Sequence, residues 1–433
     1  MKLFSSQLTI AILALVVSTL PGSADEPEDA PKATDYPSIQ AALDANPNRE
    51  IFVPAGDYTV TEKIRLRSDR SGLFGPGRII QENPEQPVIE IENGAGIEIR
   101  GLTLLRPEGK QVTDKEGVLA LNCRDLVIES VKVINNRTQS GAITLRDTEN
   151  SRISRCLVRN YMRISIDDRT GSDGYGFAFN CTDGTGISVR TSRGTLIENN
   201  TVIEENFLPT LEIKRQHKLG DFVKKNDVKG NIVNQQMWDA EYMDAWQQGS
   251  GIIVTSPKES DLTRILGNHI ENAGQGIDLH CDHVIVANNV VVNSFIGMKA
   301  MHGSSNVLIN GNQFVRNSLW AIGLMPGAAA DDENRDGGSI VANNIISEFG
   351  YGDANWIWGD ERSPIKFDTG QQPDDPPLSD VLIQGNLIHQ AGEARYRYAV
   401  IIPGGPKSPT ELHFSGNLFP PGKDGVSNVE LPR

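Results

Sequence analysis

The chain is poor in the residues that cross-link small folds: 433 residues carry four cysteines and seven histidines. Cys123, Cys156, Cys181 and Cys281 fit no metal-ligand spacing, and full pairing would allow three disulfide patterns. A chain of this length can bury a large core, so disulfides would be an accessory to it. Positive charge is short as well. Lys and Arg number 41 against 56 Asp and Glu, a formal charge of −15 that disfavours nucleic acid and anionic membranes as partners. An acidic polysaccharide would also be repelled unless local basic residues or a bound cation reversed the field. Long apolar runs are missing after the first two dozen residues, so no later segment is expected to cross a membrane.

The apolar run that does exist, Leu8 to Leu20, follows Lys2 and precedes the small residues Gly22-Ser23-Ala24. This pattern reads as a signal peptide over residues 1–24, cut near Ala24, for a protein secreted or held in a periplasm. No cysteine follows the cut, which argues against a lipid anchor. Lys2 is the leader's only charge, so the mature chain carries −15 − 1 = −16. Residues 25–35, rich in Pro and acids, read as a disordered leader. Residues 36–433 read as one domain.

That domain opens with a helix signal. Ser38 is placed as an N-cap, with Ile39, Ala42 and Leu43 on one face, a plug for the open end of a solenoid. A repeat follows: an apolar residue at i, a ladder residue at i+3, an apolar residue at i+5. The ladder positions are Leu102, Val131, Cys156, Asn200, Asn231, Asn268, Asn288, Asn312, Asn343, Asn386 and Asn417. Asparagines at one register can stack at the corner between two strands and satisfy turn groups that would otherwise be buried unpaired. A second strand with alternating apolar residues precedes most rungs, as at Gly186-Ile-Ser-Val and Gly276-Ile-Asp-Leu. The expected fold is an all-β, right-handed parallel β-helix of about eleven coils, a rod on the order of 50 Å long. Ser38-Ile-Gln-Ala-Ala-Leu-Asp-Ala, followed by Val53-Pro-Ala-Gly-Asp-Tyr, resembles the entry to the pectate-lyase-like superfamily. That resemblance implies the same β-helix fold across nearly the whole mature chain and says nothing of the reaction.

Chemistry is expected on the outward positions of the strand before the rung: Thr144 and Arg146, Ser188 and Arg190, Glu212 and Lys214, Ile253 and Thr255, Asp278 and His280, Lys299 and Met301, Gly323 and Met325, Lys366 and Asp368. Asp278 and His280 point the same way from one strand, with Lys299 one coil above Asp278. His269, His283 and His302 lie within the same stretch, between Asn268 and Asn312. A base with a pKa near working pH, a cation and a carboxylate on one face suit proton abstraction beside a carboxylate. His280 is the candidate base, Lys299 and Arg190 the electrophiles, Asp278 the orienter, and His302 a further candidate. Gly276-Ile277-Asp278-Leu279-His280 also resembles the Asp-Pro-His strand of mannuronan C5-epimerases. That family's pattern implies His280 as base or acid and Asp278 as its partner on the sugar carboxylate. The sequence departs from it at Leu279, which replaces the proline, and at Lys299 with His302, where the family tends to carry Arg or His.

Two loops carry aromatics able to pack on sugar rings: Trp238, Tyr242 and Trp246, and Tyr351, Trp356 and Trp358. The plainer reading is that these rings anchor their loops. Asp332, Asn334 and Asp336, ahead of Gly337, have calcium-loop spacing, although the distal Glu of an EF-hand is replaced by Asn343. Calcium is therefore the only cofactor expected. The leading reading is an enzyme, expected to act as a monomer on an acidic, uronate-containing polysaccharide by α-proton abstraction, as a lyase or else an epimerase. A glycoside hydrolase would need Asp278 paired with Glu212 or Asp368. A non-catalytic carbohydrate-binding rod would use the aromatic loops and not His280 or Lys299.

Overall fold

Every third strand pairs in parallel with the next, so the chain climbs one coil at a time in three sheets. The computed structural model describes residues 29–432, apart from 169–177, 222–245, 328–332, 353–361 and 371–373. Twelve strands make the first sheet, from Glu50–Phe52 to Thr410–Ser415. Eleven make the second, from Asp57–Val60 to Leu387–His389, and twelve make the third, from Ile64–Leu66 to Gly425–Ser427. The chain is a right-handed parallel β-helix. Most strands of the first two sheets are three residues long with only the central side chain buried, so each coil adds one rung to each interior stack. On the first sheet that stack is Ile99, Ile128, Ile153, Ile197, Ile265, Val286, Ile309, Val341 and Ile383, all fully buried.

The corner between the first and second sheets holds the expected ladder, with two changes of register. Side-chain amides run unbroken from Asn200 through Asn268, Asn289, Asn312, Asn344 and Asn386 to Asn417, each Nδ2 donating to the next Oδ1 at 2.9–3.0 Å. The rungs are thus Asn289 and Asn344, not Asn288 and Asn343. Those two residues take the preceding position, where the backbone is left-handed at φ 57° and 55°. Gly101, Gly267, Gly311, Gly385 and Gly416 fill the same preceding position in other coils. Asn tolerates that conformation nearly as glycine does, so an Asn-Asn pair supplies both the turn and the rung. The apolar positions shift accordingly, to Val286 and Val291 in one coil and to Val341 and Ile346 in the other; Ile340 and Ile345 face outward, each 40 % exposed. Asn231 lies outside the described residues, and Asn200 bonds Asn268 directly, so there is no rung between them.

At the N-terminal end, the helix Ile39–Ala45 forms as expected. Ser38 Oγ accepts the Ala41 N–H at 3.1 Å, and Ile39, Ala42 and Leu43 are buried in the core. The expectation of disorder fails for residues 29–35. Ala33 is buried, and the Pro31 carbonyl accepts the Phe52 N–H, because the first strand needs a partner at its open edge. The expected signal peptide lies outside the described residues. All four cysteines are buried; Cys123, Cys156 and Cys281 sit in the core as thiols, and Cys181 Sγ lies 3.8 Å from Ser165 Oγ. Glu212 and Lys214 correct another expectation: they lie on the helix Leu211–His217, capped by Thr210, and not on a strand of the coil. Among the described residues no helix is long and apolar enough to cross a membrane.

Candidate functional site

The third sheet carries the chemistry, because its parallel register stacks outward side chains in rows. One row runs Thr144, Ser188, Ile253, Asp278, Lys299, Gly323 and Lys366. A second, two residues on, contains Arg146, Arg190 and Thr255 and continues at His280, whose N–H bonds the Val254 carbonyl. The seven coils therefore present Arg146, Arg190, Lys299 and Lys366 against Asp278 and Asp368. An acidic chain thus offers a locally basic face.

At the centre of this face the expected cluster assembles. His280 Nε2 lies 3.0 Å from Asp278 Oδ1, and Lys299 Nζ lies 3.5 Å from the same oxygen. The His280 contact is bent away from hydrogen-bond geometry, so Oδ1 and Nε2 are both buried without a formal hydrogen bond. Ser250 Oγ reaches the other carboxylate oxygen at 3.5 Å, and Thr255 Oγ1 sits 3.4 Å from His280 Nδ1. Asp278 is 6 % exposed, His280 16 % and Lys299 14 %, so the acid is the floor and the two bases remain within reach of solvent. Burial alone would raise the Asp278 pKa. The charges of His280, Lys299 and His302, with the His280 contact, outweigh it and hold the carboxyl well below the usual range.

His302 joins this group, although Met301 was expected outward. Met301 is 2 % exposed, while His302, in a left-handed conformation at φ 60°, brings its ring edge-on to His280 with centroids 4.5 Å apart. Burial, then the charges of His280 and Lys299, push the His302 pKa down to about 3, so the ring is neutral near pH 7. His283 and His269 stay out of the cluster. The first pairs with Asp261 at 3.1 Å and the second sits beside Glu271 at 3.4 Å.

Other expected residues fare unevenly. Arg190 is exposed two coils below His280, about 10 Å along the axis, able to meet a neighbouring sugar but not the same group. Trp246 is 1 % exposed, and its carbonyl accepts the Thr182 N–H, so it anchors its loop and offers no sugar platform. Tyr351 also anchors, with the Arg395 guanidinium 3.9 Å above its ring. Trp238, Tyr242, Trp356, Trp358 and Asp332 lie outside the described residues. Asp336 directs both oxygens at backbone, accepting the Gly303 and Ser304 N–H groups at 2.8 and 2.9 Å. Burial raises its pKa to about 7, against the pull of those two donors. Asn334 packs against Gly303. The hydrolase pairs are not brought together: Glu212 sits on its helix, and Asp368 stands three coils from Asp278, about 14 Å.

Sequence reasoning passed over Trp320. Its half-exposed ring covers Gly323, the rung above Lys299, with Cε3 3.0 Å from where a Cβ would stand. The signal was a tryptophan opening a strand three residues before a glycine, on the row that already held the cluster. Ser250 was missed because a small residue at the start of a strand looks like ordinary turn sequence.

Residues 164–346 match the family model for a right-handed β-helix region. No curated protein matches the chain in sequence. Among solved structures, the catalytic domain of a GH87 α-1,3-glucanase in complex with nigerose superposes with a TM-score of 0.59 at 11 % identity, over 96 % of this chain and 70 % of that one. The A-module of the Azotobacter vinelandii mannuronan C-5 epimerase AlgE6 gives 0.52 at 16 % identity, over 92 % and 100 %. PfbA, a surface adhesin of Streptococcus pneumoniae, gives 0.51 at 11 %, over 90 % and 93 %. At such identities these likenesses establish the fold alone.

Proposed function

We propose that the protein is an exported enzyme that abstracts the proton α to the carboxylate of a uronate-containing polysaccharide, acting as a lyase. The observation that carries this reading is the convergence of Asp278, His280 and Lys299 on one outward face, with Asp278 Oδ1 shared by the other two. The Asp278 carboxylate beside Nε2 favours the tautomer with Nε2 protonated, which leaves the lone pair on Nδ1 for the substrate. Lys299 faces the sugar carboxylate and stabilises the charge that develops there. The C5 proton passes to His280 and its electron pair moves onto the carboxylate. Collapse to a C4–C5 double bond expels the C4 oxygen, which takes the proton back from the imidazolium. Arg190 and Arg146 extend the basic face toward neighbouring carboxylates, and Trp320 supplies a flat apolar surface beside the site.

Epimerisation shares the first step and differs in returning the proton from the other face. The second imidazole, His302, is the observation that keeps this reading open, along with the fold likeness to a mannuronan epimerase. The test is to incubate the mature protein with polyuronates and glycosaminoglycans, with and without calcium. Growth of unsaturated-uronate absorbance is the expected result; reducing ends alone would mean hydrolysis, and inverted C5 configuration by NMR would mean epimerisation. His280→Ala should lower the rate about a hundredfold to ten-thousandfold. An unimpaired His280→Ala enzyme would remove His280 from the mechanism.

A further inference from the structure

His302 is held from three directions by residues to which the sequence pattern gave no part in proton transfer. Gly327 lies against the ring: a Cβ there would stand 2.1 Å from Nδ1 and 2.6 Å from Cε1. The next two residues, Gly303 and Ser304, donate their N–H groups to the two oxygens of Asp336. Ser304 then ties the turn to the strand of the base. Its hydroxyl donates to the Leu279 carbonyl at 2.9 Å and accepts the Cys281 N–H at 3.2 Å, so it brackets His280 on both sides. The two rings are therefore fixed relative to one another through backbone, independently of Asp278 and Lys299.

We propose that Gly327, Ser304 and Asp336 are positioning residues that hold His302 edge-on to His280, where its Nε2–H donates to the oxyanion formed as His280 takes the substrate proton. This rests on the proton-abstraction reading above. Gly327 backs the Nδ1 side of the ring, and Nε2 is the nitrogen we assign as the donor. A neutral imidazole is a suitable donor here, since an oxyanion gains from a fixed N–H that brings no competing charge into the site.

Gly327→Ala isolates the clamp. Its backbone does not adopt the left-handed conformation, and the atoms an added methyl would meet belong to the His302 ring, so the ring must move and not the coil. On whichever polyuronate the protein cleaves, we expect Gly327→Ala to lower kcat about ten- to a hundredfold with KM within twofold. In a His302→Gln background the same substitution should add less than twofold, since the ring it displaces is gone. Nitrogen-15 NMR of the imidazoles should show the His302 resonances moved in Gly327→Ala, with the melting temperature within a few degrees of wild type. Ser304→Ala should lower kcat in the same way, and Ser304→Thr should recover most of it. An unchanged kcat for Gly327→Ala, or a further fall in the His302→Gln background, overturns the clamp. If His280→Ala also retains activity, the proton-abstraction reading falls with it; if only Gly327→Ala does, the clamp falls alone. Should no polyuronate be turned over, unmoved His302 resonances in Gly327→Ala still overturn the clamp.

Discussion

The two ends of the solenoid build the same corner from different chemistry. In the early coils Leu102, Val131 and Cys156 point inward at the turn between the first and second sheets, and dispersion fills the corner. From Asn200 onward an amide takes that position in every coil and hydrogen-bonds along the rod. The switch is clean: the Cys156 N–H already donates to Asn200 Oδ1, while its own Sγ makes only weak contacts, to the Ser154 carbonyl at 3.4 Å and the Ile128 carbonyl at 3.6 Å. Both solutions keep the left-handed residue before the rung, so the backbone turn is common property and the side chain is free to vary. The difference is one of cost. An aliphatic rung lost leaves a void, whereas an amide lost strands the polar groups of its neighbours. The candidate site sits on the amide half.

The strongest blow to the amide half is Asn312→Leu. Asn312 accepts from the Asn289 backbone and side chain and donates to the Val286 carbonyl and Asn344. Removing it should cost about 3–5 kcal/mol in urea unfolding, and a loss below about 1 kcal/mol would make the ladder ornamental. A smaller effect is a pH dependence of stability seated in the same half. With its folded pKa depressed from 6.5 to about 3, His302 resists a proton that the unfolded chain accepts. Its contribution is therefore flat above about pH 6.5 and increasingly destabilising as pH falls from there toward 3. His302→Gln should lose about 1–3 kcal/mol less stability than wild type between pH 7.5 and 4.5, and parallel curves would contradict this. The smallest effect sharpens the boundary itself. Cys156→Asn extends the ladder by one rung, with the Ile128 carbonyl in place for its Nδ2 and the Asn200 amide beside it. Its stability should stay within about 1 kcal/mol of wild type, where a loss of several would show the early coils to be closed to amides.

Much of this was legible in the residues. The ladder period announced the coil, and Asp278, His280 and Lys299 were placed on one face by strand alternation and a one-coil step. The errors have physical causes. At Asn288-Asn289 and Asn343-Asn344, either residue satisfies a pattern of apolar neighbours, and only the left-handed backbone decides which is the rung. Trp246 was left open between sugar platform and loop anchor because spacing cannot report depth. Glu212 was read as a strand residue because an insertion breaks the period that assigns faces. His302 was a further candidate with no contact assigned to it, since nothing in a linear pattern shows that a φ of 60° would swing its ring onto His280.

The sequence by itself determined the coil, its capping helix and the row on which the charged residues stand, because periodic burial of apolar side chains is written into neighbouring positions. Only the tertiary structure decided that Gly327, Ser304 and Asp336 meet at His302, and that Asp278 is shared between His280 and Lys299. Apart from Asp278 with His280 and His302 with Ser304, each pair within one coil, those contacts join residues from different coils. Their distances depend on how turns of unequal length close, which no local pattern encodes.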